Sequence, residues 1–462
     1  MTVMPNSTAA RDVAYHLHPY TNAVKLEAEG PLVLTRGKGI YVYDEEGKEY
    51  IEGLAGLWCT SLGFGEERLV EAAARQMRKL PYYPSFGQKV PDITVELAER
   101  LVKLAPVPMS RAFFCNSGSE ANDTAVKMVW YYNNALGRPA KKKIIGRQRG
   151  YHGVTVAAAS LMGLPTFQKD FDLPIANMLH TDCPHYYRFG EAGESEEDFA
   201  GRCAANLEKL ILEQGPETVA AFIAEPMQGA GGVILPPKGY FEKVQAILRK
   251  YDILFIADEV ICGFGRTGNM FGSETFKLQP DIMTMAKALS SAYLPISALV
   301  INEKVYAAIR DNSAKIGTFG HGYTYSGHPV SAAVAVETLK IYEERDILSQ
   351  VRRVAPAFQS GLRKFADHAL VGEVRGIGLV GGLEMVQDKK TKAPFDLKLA
   401  VGPFAVKCAQ EHGLITRALG DTLALCPPLI INEAQIGDLL ARCGKALDET
   451  LGWVRQQGLA AA

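Results

Sequence analysis

From about Val70 onward the sequence alternates stretches of helical period with short apolar runs of strand length, and this alternation constrains the fold more than any other feature. Val95 to Leu104 reads as helix, Arg111 to Cys115 as strand and Glu120 to Leu136 as helix. Further strands are expected at Lys143 to Gly146, Ala220 to Ala224, Ile253 to Ala257, Ile282 to Ala286 and Ala298 to Ile301. Such an order predicts an α/β fold, with a mostly parallel sheet covered by helices on both faces. Residues up to about Tyr20 are polar, and short strand-like runs such as Ile40 to Tyr43 then alternate with glycine turns. After the loop from Gly320 to Pro329 comes a long helical stretch, followed by short strands around Val374 to Met385 and Leu423 to Leu425. The expected division is an N-terminal segment, residues 1–70, that contributes to a small domain and to the site; a large domain, 71–330; and a C-terminal small α/β domain, 331–462.

A chain of 462 residues, 47% hydrophobic and 22% charged, has the material for a large core and at least two domains. Its formal net charge of -1 gives no electrostatic reason for a nucleic acid or an anionic membrane as partner, so small molecules are the expected ligands. The eight cysteines are scattered, with no C-x-x-C pair and no metal-ligand spacing; they read as reduced thiols of a cytoplasmic protein without a metal centre. Met1 to Arg11 contains no apolar signal core, and no window approaches the roughly 18 apolar residues of a spanning helix. Secretion and membrane insertion are therefore disfavoured. The acidic run Glu191 to Asp198 reads as a solvated loop and helix start.

Three motifs carry chemistry. The run from Phe113 to Asp123 is a strand, a small polar loop (Asn116-Ser117-Gly118-Ser119) and a helix start, and free backbone N–H groups with two hydroxyls at a helix N-terminus suit a phosphate. Ser119 as a plain helix cap is the competing account. The strand Ile253 to Ala257 ends in Asp258-Glu259, and beyond the carboxyl end of such a strand Asp258 could hold a pyridinium N–H or merely cap a turn. The strand Ile282 to Ala286 runs into Lys287, which must either snorkel to water or be kept as an amine whose pKa desolvation lowers. Each is weak alone. Together, at the strand ends of one sheet, they are specific. Tyr151, just past the strand Lys143 to Gly146, stands at the same rim and either lays its ring on a flat ligand or packs in the core.

Two G-x-G-x-x-G matches, Gly263 to Gly268 and Gly376 to Gly381, are the basis of a rival NAD-dependent dehydrogenase reading. Neither is followed by a convincing helix, and the second runs into the strand-like Gly382 to Val386, so both read as turns.

At these residues the chain resembles the class III aminotransferases, a fold-type I pyridoxal-phosphate family, from about His18 to the C-terminal helix. The resemblance implies pyridoxal 5'-phosphate bound in the large domain as a Schiff base on Lys287. It implies Asp258 on the pyridine nitrogen, Tyr151 stacked on the ring, Val260 under the other face, Glu225 ordering the polar groups, and Ser117, Gly118 and Ser119 on the phosphate. In the Gly320 to Pro329 loop the family's threonine falls on Thr324, which reaches the phosphate of the neighbouring subunit and so implies a homodimer or a dimer of dimers. Within the family the likeness is to omega-amino-acid and amine:pyruvate transaminases, on His18-Pro19-Tyr20, Ala55-Gly56-Leu57-Trp58, Phe86 and Gly413-Leu414-Ile415-Thr416-Arg417. Tyr20, Leu57, Trp58, Phe86 and Tyr151 would line the substrate pocket, with Arg417 gripping or releasing a carboxylate. The implied reaction is a ping-pong transfer from an omega-amino acid or amine to an oxo acid, pyruvate first among them. Fold-type I decarboxylases and aminomutases remain the alternatives, because the lysine itself does not fix the reaction type.

Overall fold

In the computed structural model, residues 6–459 are described; of the N-terminal segment read above, residues 1–5 lie outside them. An antiparallel meander of Leu34–Lys38 (β1), Tyr41–Asp44 (β2) and Glu49–Glu52 (β3) comes first. The central sheet follows: Arg111–Cys115 (β4), Lys143–Arg147 (β5), Met178–Thr181 (β6), Val219–Ala224 (β7), Leu254–Asp258 (β8), Ile282–Met285 (β9) and Ser297–Ile301 (β10). The C-terminal part adds the hairpin of Val371–Ile377 (β11) and Val380–Met385 (β12), then Leu414–Ile415 (β13), Arg417–Leu419 (β14) and Thr422–Leu425 (β15).

The central sheet has seven strands in the order β4-β10-β9-β8-β7-β5-β6. Pairing is parallel from β9 through β6, and β10 alone runs against its two neighbours, β4 and β9. Every residue of β7, β8, β9 and β10 is buried, as expected of strands covered on both faces. The expected α/β architecture is present, with β10 the exception to parallel order and β6 an edge strand that the sequence reading passed over.

What the sheet positions is its carboxyl edge. Asp258 ends β8, and Lys287 follows β9 by two residues, opening the 3-10 turn Lys287–Ser290. Ser117 caps the helix Gly118–Ala135 directly after β4, and Tyr151 lies on the loop leaving β5. Parallel pairing brings these loops to one rim because each crossover returns its strand in the same direction. The C-terminal part reaches that rim as well. Its β13 pairs in parallel with β3 of the N-terminal meander, and β14 with β15 builds a small antiparallel sheet on the hairpin.

Both glycine-rich matches are turns. Gly376 to Gly381 is the β11–β12 hairpin, with Gly378 at φ +55°, and Gly263 to Gly268 is a run of turns after β8. The acidic run gives way to the helix Glu196–Gln214, capped by Ser195, whose acidic first turn complements the positive end of the helix dipole.

Candidate active site

A cavity of about 770 Å³ opens at this rim. Lys287, Asp258, Glu225, Tyr151, Val260 and Ser119 border it, with Gly118 beside Ser119. From the N-terminal segment come Tyr20, Leu57 and Trp58, and from the C-terminal part comes Arg417.

Asp258 is held hard. Its Oδ2 accepts from Nδ2 of Asn122 and from Nδ1 of His152, both at 2.8 Å, and its Oδ1 accepts from the Val260 amide at 3.1 Å. Asn122 also donates to the carbonyl of His152 at 2.7 Å, so helix, loop and strand end are tied at one carboxylate. Neither His152 nor Asn122 was singled out from sequence. The available signals were adjacency to Tyr151 and the i, i+3 spacing from Ser119, which puts Asn122 on the same helix face. Glu259 turns the other way: it accepts from the amides of Gly272 and Ser273 and from the Ser273 hydroxyl, and burial pushes its carboxyl up to about 7.

Lys287 sits at φ +50°, a strained conformation for a side-chain-bearing residue. Burial lowers the pKa of its amine, opposed in part by attraction to Asp258. Desolvation disfavours the ammonium form, so the site enriches the unprotonated amine needed for bond formation to a carbonyl carbon. Glu225 bridges backbone, accepting from the Tyr151 amide at 3.0 Å and the Gly229 amide at 2.8 Å; burial raises its pKa too. The Tyr151 hydroxyl meets that of Tyr20 at 3.2 Å, and the Arg417 guanidinium lies 5.8 Å from the centroid of the Tyr20 ring.

The loop after β4 is shaped for close approach of a ligand to backbone. A Cβ on Gly118 would come within 3.0 Å of Val260 Cγ1, and one on Gly153, at φ +127°, would lie 2.5 Å from Ser119 Oγ. Ser117 accepts from the Glu120 amide at 3.2 Å as helix cap, and Ser119 accepts from the Val154 amide at 3.0 Å. Both hydroxyl protons are thereby left to donate at a helix N-terminus. Carboxylate at one end, anion seat at the other and a desolvated lysine between them fit a phosphorylated pyridine aldehyde.

Three expected residues do not border the cavity. Ser117 stays at the cap. Phe86 is exposed and packs on Gly322, where a Cβ would lie 2.9 Å from its ring. Thr324 is exposed as well, and its carbonyl accepts from the Tyr82 hydroxyl at 2.8 Å. The chain therefore brings Phe86 and Thr324 near each other but not to its own cavity.

Comparison with known proteins agrees with this geometry. The model of the class-III aminotransferase family matches residues 24–447. The chain is 52% identical over 455 residues to gamma aminobutyrate transaminase 3, chloroplastic, of Solanum lycopersicum, covering 97% of this chain and 88% of that protein. A solved omega transaminase from Pseudomonas jessenii, in complex with PMP, superposes with a TM-score of 0.96 at 57% identity, covering 97% of this chain and 99% of that one. A variant of a thermostable omega transaminase, engineered for asymmetric synthesis of enantiopure bulky amines by replacing a tryptophan, a phenylalanine and an arginine, superposes equally well, with a TM-score of 0.96 at 57% identity over 97% of this chain and 100% of that one. The cytoplasmic expectation is overturned here, because the curated relatives from tomato and rice are chloroplastic or mitochondrial proteins. Among the described residues no helix is long and apolar enough to cross a membrane. With a family match across most of its length and a site that fits the family's cofactor, the chain belongs to the class-III aminotransferases and is a pyridoxal-phosphate-dependent omega-transaminase.

Proposed function

We propose which residues of this chain carry the transfer of an amino group from an omega-amino acid or amine to pyruvate. The observation that supports the assignment most is the Lys287 side chain, half-buried at the cavity it shares with Asp258, with its amine pKa lowered by desolvation. When bound, pyridoxal 5'-phosphate supplies an electron sink for the charge that develops as the amine-bearing carbon loses its proton. Lys287 would anchor it until the donor amine displaces it; the freed Nζ would then take the proton from the donor carbon and hand it to the cofactor, and in the second half-reaction it would carry a proton from the cofactor to the acceptor carbon. Asp258, oriented by Asn122 and His152, would hold the pyridine N–H, and Tyr151 and Val260 would flank the ring, with Glu225 fixing the Tyr151 loop. Gly118 and Ser119 would seat the phosphate at the helix N-terminus, which Ser117 caps.

Substrate selection falls to Tyr20, Leu57, Trp58 and Arg417. Tyr20 and Trp58 give the donor an aromatic wall, and Arg417 receives the carboxylate of pyruvate from over the Tyr20 ring. The residue types replaced in the variant engineered for bulky amines are those of Trp58, Phe86 and Arg417, which supports the same wall. Phe86 and Thr324 serve the neighbouring subunit, Thr324 at its phosphate, and their exposure away from the local cavity supports a homodimer. The division into residues 1–70, 71–330 and 331–462 belongs to the same proposal, supported by the pairing of β13 with β3 and by the separate sheet of β11, β12, β14 and β15.

A panel of omega-amino acids, polyamines and simple amines with pyruvate, reading alanine formed, tests the reaction. Borohydride reduction followed by peptide mapping tests the anchor: the label is expected on Lys287, and a label on any other lysine would sink the assignment.

A further inference from the structure

Arg149 stands two residues before Tyr151 on the loop leaving β5, at φ +63°. Its side chain is half-buried and borders the cavity. Burial depresses the pKa of its guanidinium, which marks a charged form taken partly out of water. The surrounding charges do not compensate it. Arg188 pairs with Glu384, and Arg375 pairs with both Glu373 and Glu384, so the two local carboxylates are already engaged by two other guanidiniums. Arg149 takes part in no ion pair among the described residues.

Its one side-chain hydrogen bond is long, from Nη1 to His185 Nδ1 at 3.4 Å. His185 donates from Nε2 to Glu373 at 2.8 Å, which leaves Nδ1 of the neutral ring as an acceptor, and burial lowers the pKa of that ring. Elsewhere the fold satisfies unpaired buried arginines with carbonyls: Arg147 donates to the carbonyl of Glu225, and Arg266 to those of Leu379 and Pro427. Arg149 has no such acceptor. Two glycines give it room: a Cβ on Gly231 would lie 2.0 Å from its carbonyl oxygen, and one on Gly232 would lie 3.3 Å from its Nη2. The other acidic residue at this end of the cavity, Asp421, accepts from the Gly402 amide, and burial raises its pKa. This end of the cavity therefore carries an excess of positive charge, and a desolvated guanidinium without a partner is costly unless a ligand completes it.

We infer that Arg149 is the seat for the terminal carboxylate of the amine donor, which makes omega-amino acids, rather than amines without a carboxylate, the preferred donor class. The inference rests on the transaminase reading above and assigns to Arg149 a carboxylate different from the one that Arg417 receives. A planar guanidinium without an ion-pair partner is suited to bidentate capture of that group.

The test pairs two donors of equal chain length, 5-aminopentanoate and pentylamine, on holoenzyme with pyruvate as acceptor. In Arg149→Met the ratio of kcat/KM for 5-aminopentanoate over pentylamine is expected to fall roughly ten- to hundredfold, the usual cost of losing a hydrogen-bonded charge pair. Pentylamine should fall far less, and Arg149→Lys should restore part of the ratio. Calorimetric binding of pentanoate, which carries the carboxylate and no amine, measured in an Arg417→Ala background so that the pyruvate seat does not hold it, should weaken by a similar factor. Parallel losses for both donors, or pentanoate binding unaffected by the substitution, would overturn the inference. Should Arg149→Met fail to fold, Arg149→Gln carries the same comparison. The two readings fail separately: a wild-type enzyme that makes no alanine from either donor defeats the transaminase reading, while the pentanoate measurement still decides the role of Arg149.

Discussion

At the scale of single residues the site is a set of charges whose neighbours decide their use. Arg417 illustrates this. Neither Asp421 nor Glu411 pairs with it; Asp421 is engaged by the Gly402 amide, and the guanidinium lies over Tyr20 at the cavity wall. One pocket must take the carboxylate of pyruvate in one half-reaction and an uncharged group in the other, and a long arginine can serve both by swinging its head. Arg417→Ala should cost roughly 2 to 4 kcal/mol of transition-state binding for pyruvate, as for a truncated charge pair. The half-reaction of a simple amine should suffer much less. Single-turnover rates of the two halves separate the cases, and equal losses in both would rule the role out. Lys287→Ala is expected to abolish turnover and the visible absorbance of bound cofactor together, and a spectrophotometer and an alanine assay check both.

At the scale of elements, the strand ends explain what sequence could and could not tell. Runs such as Ile253 to Ala257 and Ile282 to Ala286 are legible because strands covered on both faces must be apolar throughout, and a polar residue at their ends then stands out. Asp258 and Lys287 stood out as candidates for that reason, and Tyr151 by its place on the loop after β5. Asn122, His152 and Arg149 did not, since their importance lies in partners 136, 106 and 36 residues away. The reversed direction of β10 escaped as well, because hydrophobic pattern reports burial and not strand polarity. The adjacent carboxylates ending β8 also divide in a way the sequence cannot show. Asp258 faces the cavity, whereas Glu259 is buried against the turn that opens at Gly272. Because its folded pKa of about 7 exceeds the ordinary 4.5, the folded state binds this proton more tightly. The associated stability is complete below about pH 4.5 and is lost as pH rises to about 7, an effect on the order of 3 kcal/mol. Glu259→Gln removes that titration while sacrificing one acceptor. The stability advantage of wild type over Glu259→Gln should therefore shrink across this pH window in paired denaturation curves, and a constant gap would contradict it.

At the scale of the whole molecule, the proposed site draws on a second chain. Phe86 and Thr324 lie on exposed surface away from the local cavity, with Tyr82 and Tyr325 packed edge to face beside them, while Tyr15 and Leu17 of the N-terminal segment are each 89% exposed. If Thr324 completes the phosphate seat of the neighbouring subunit, mixing two inactive chains can rebuild a working site, which is a sharper test than oligomeric state alone. In a heterodimer of Lys287→Ala and Thr324→Ala chains, the site built on the Lys287→Ala chain is dead. The other site keeps its lysine and receives an intact Thr324 from its partner. Co-expressed and separately tagged, such heterodimers should regain about half of wild-type turnover, one good site of two, because the cofactor seat is then whole. Had Thr324 acted within its own chain, both sites of the heterodimer would lack one residue and activity would stay at the level of the parent variants. Tandem-tag purification followed by an alanine-formation assay distinguishes the two outcomes, and no recovery above the Thr324→Ala homodimer would reject the shared site.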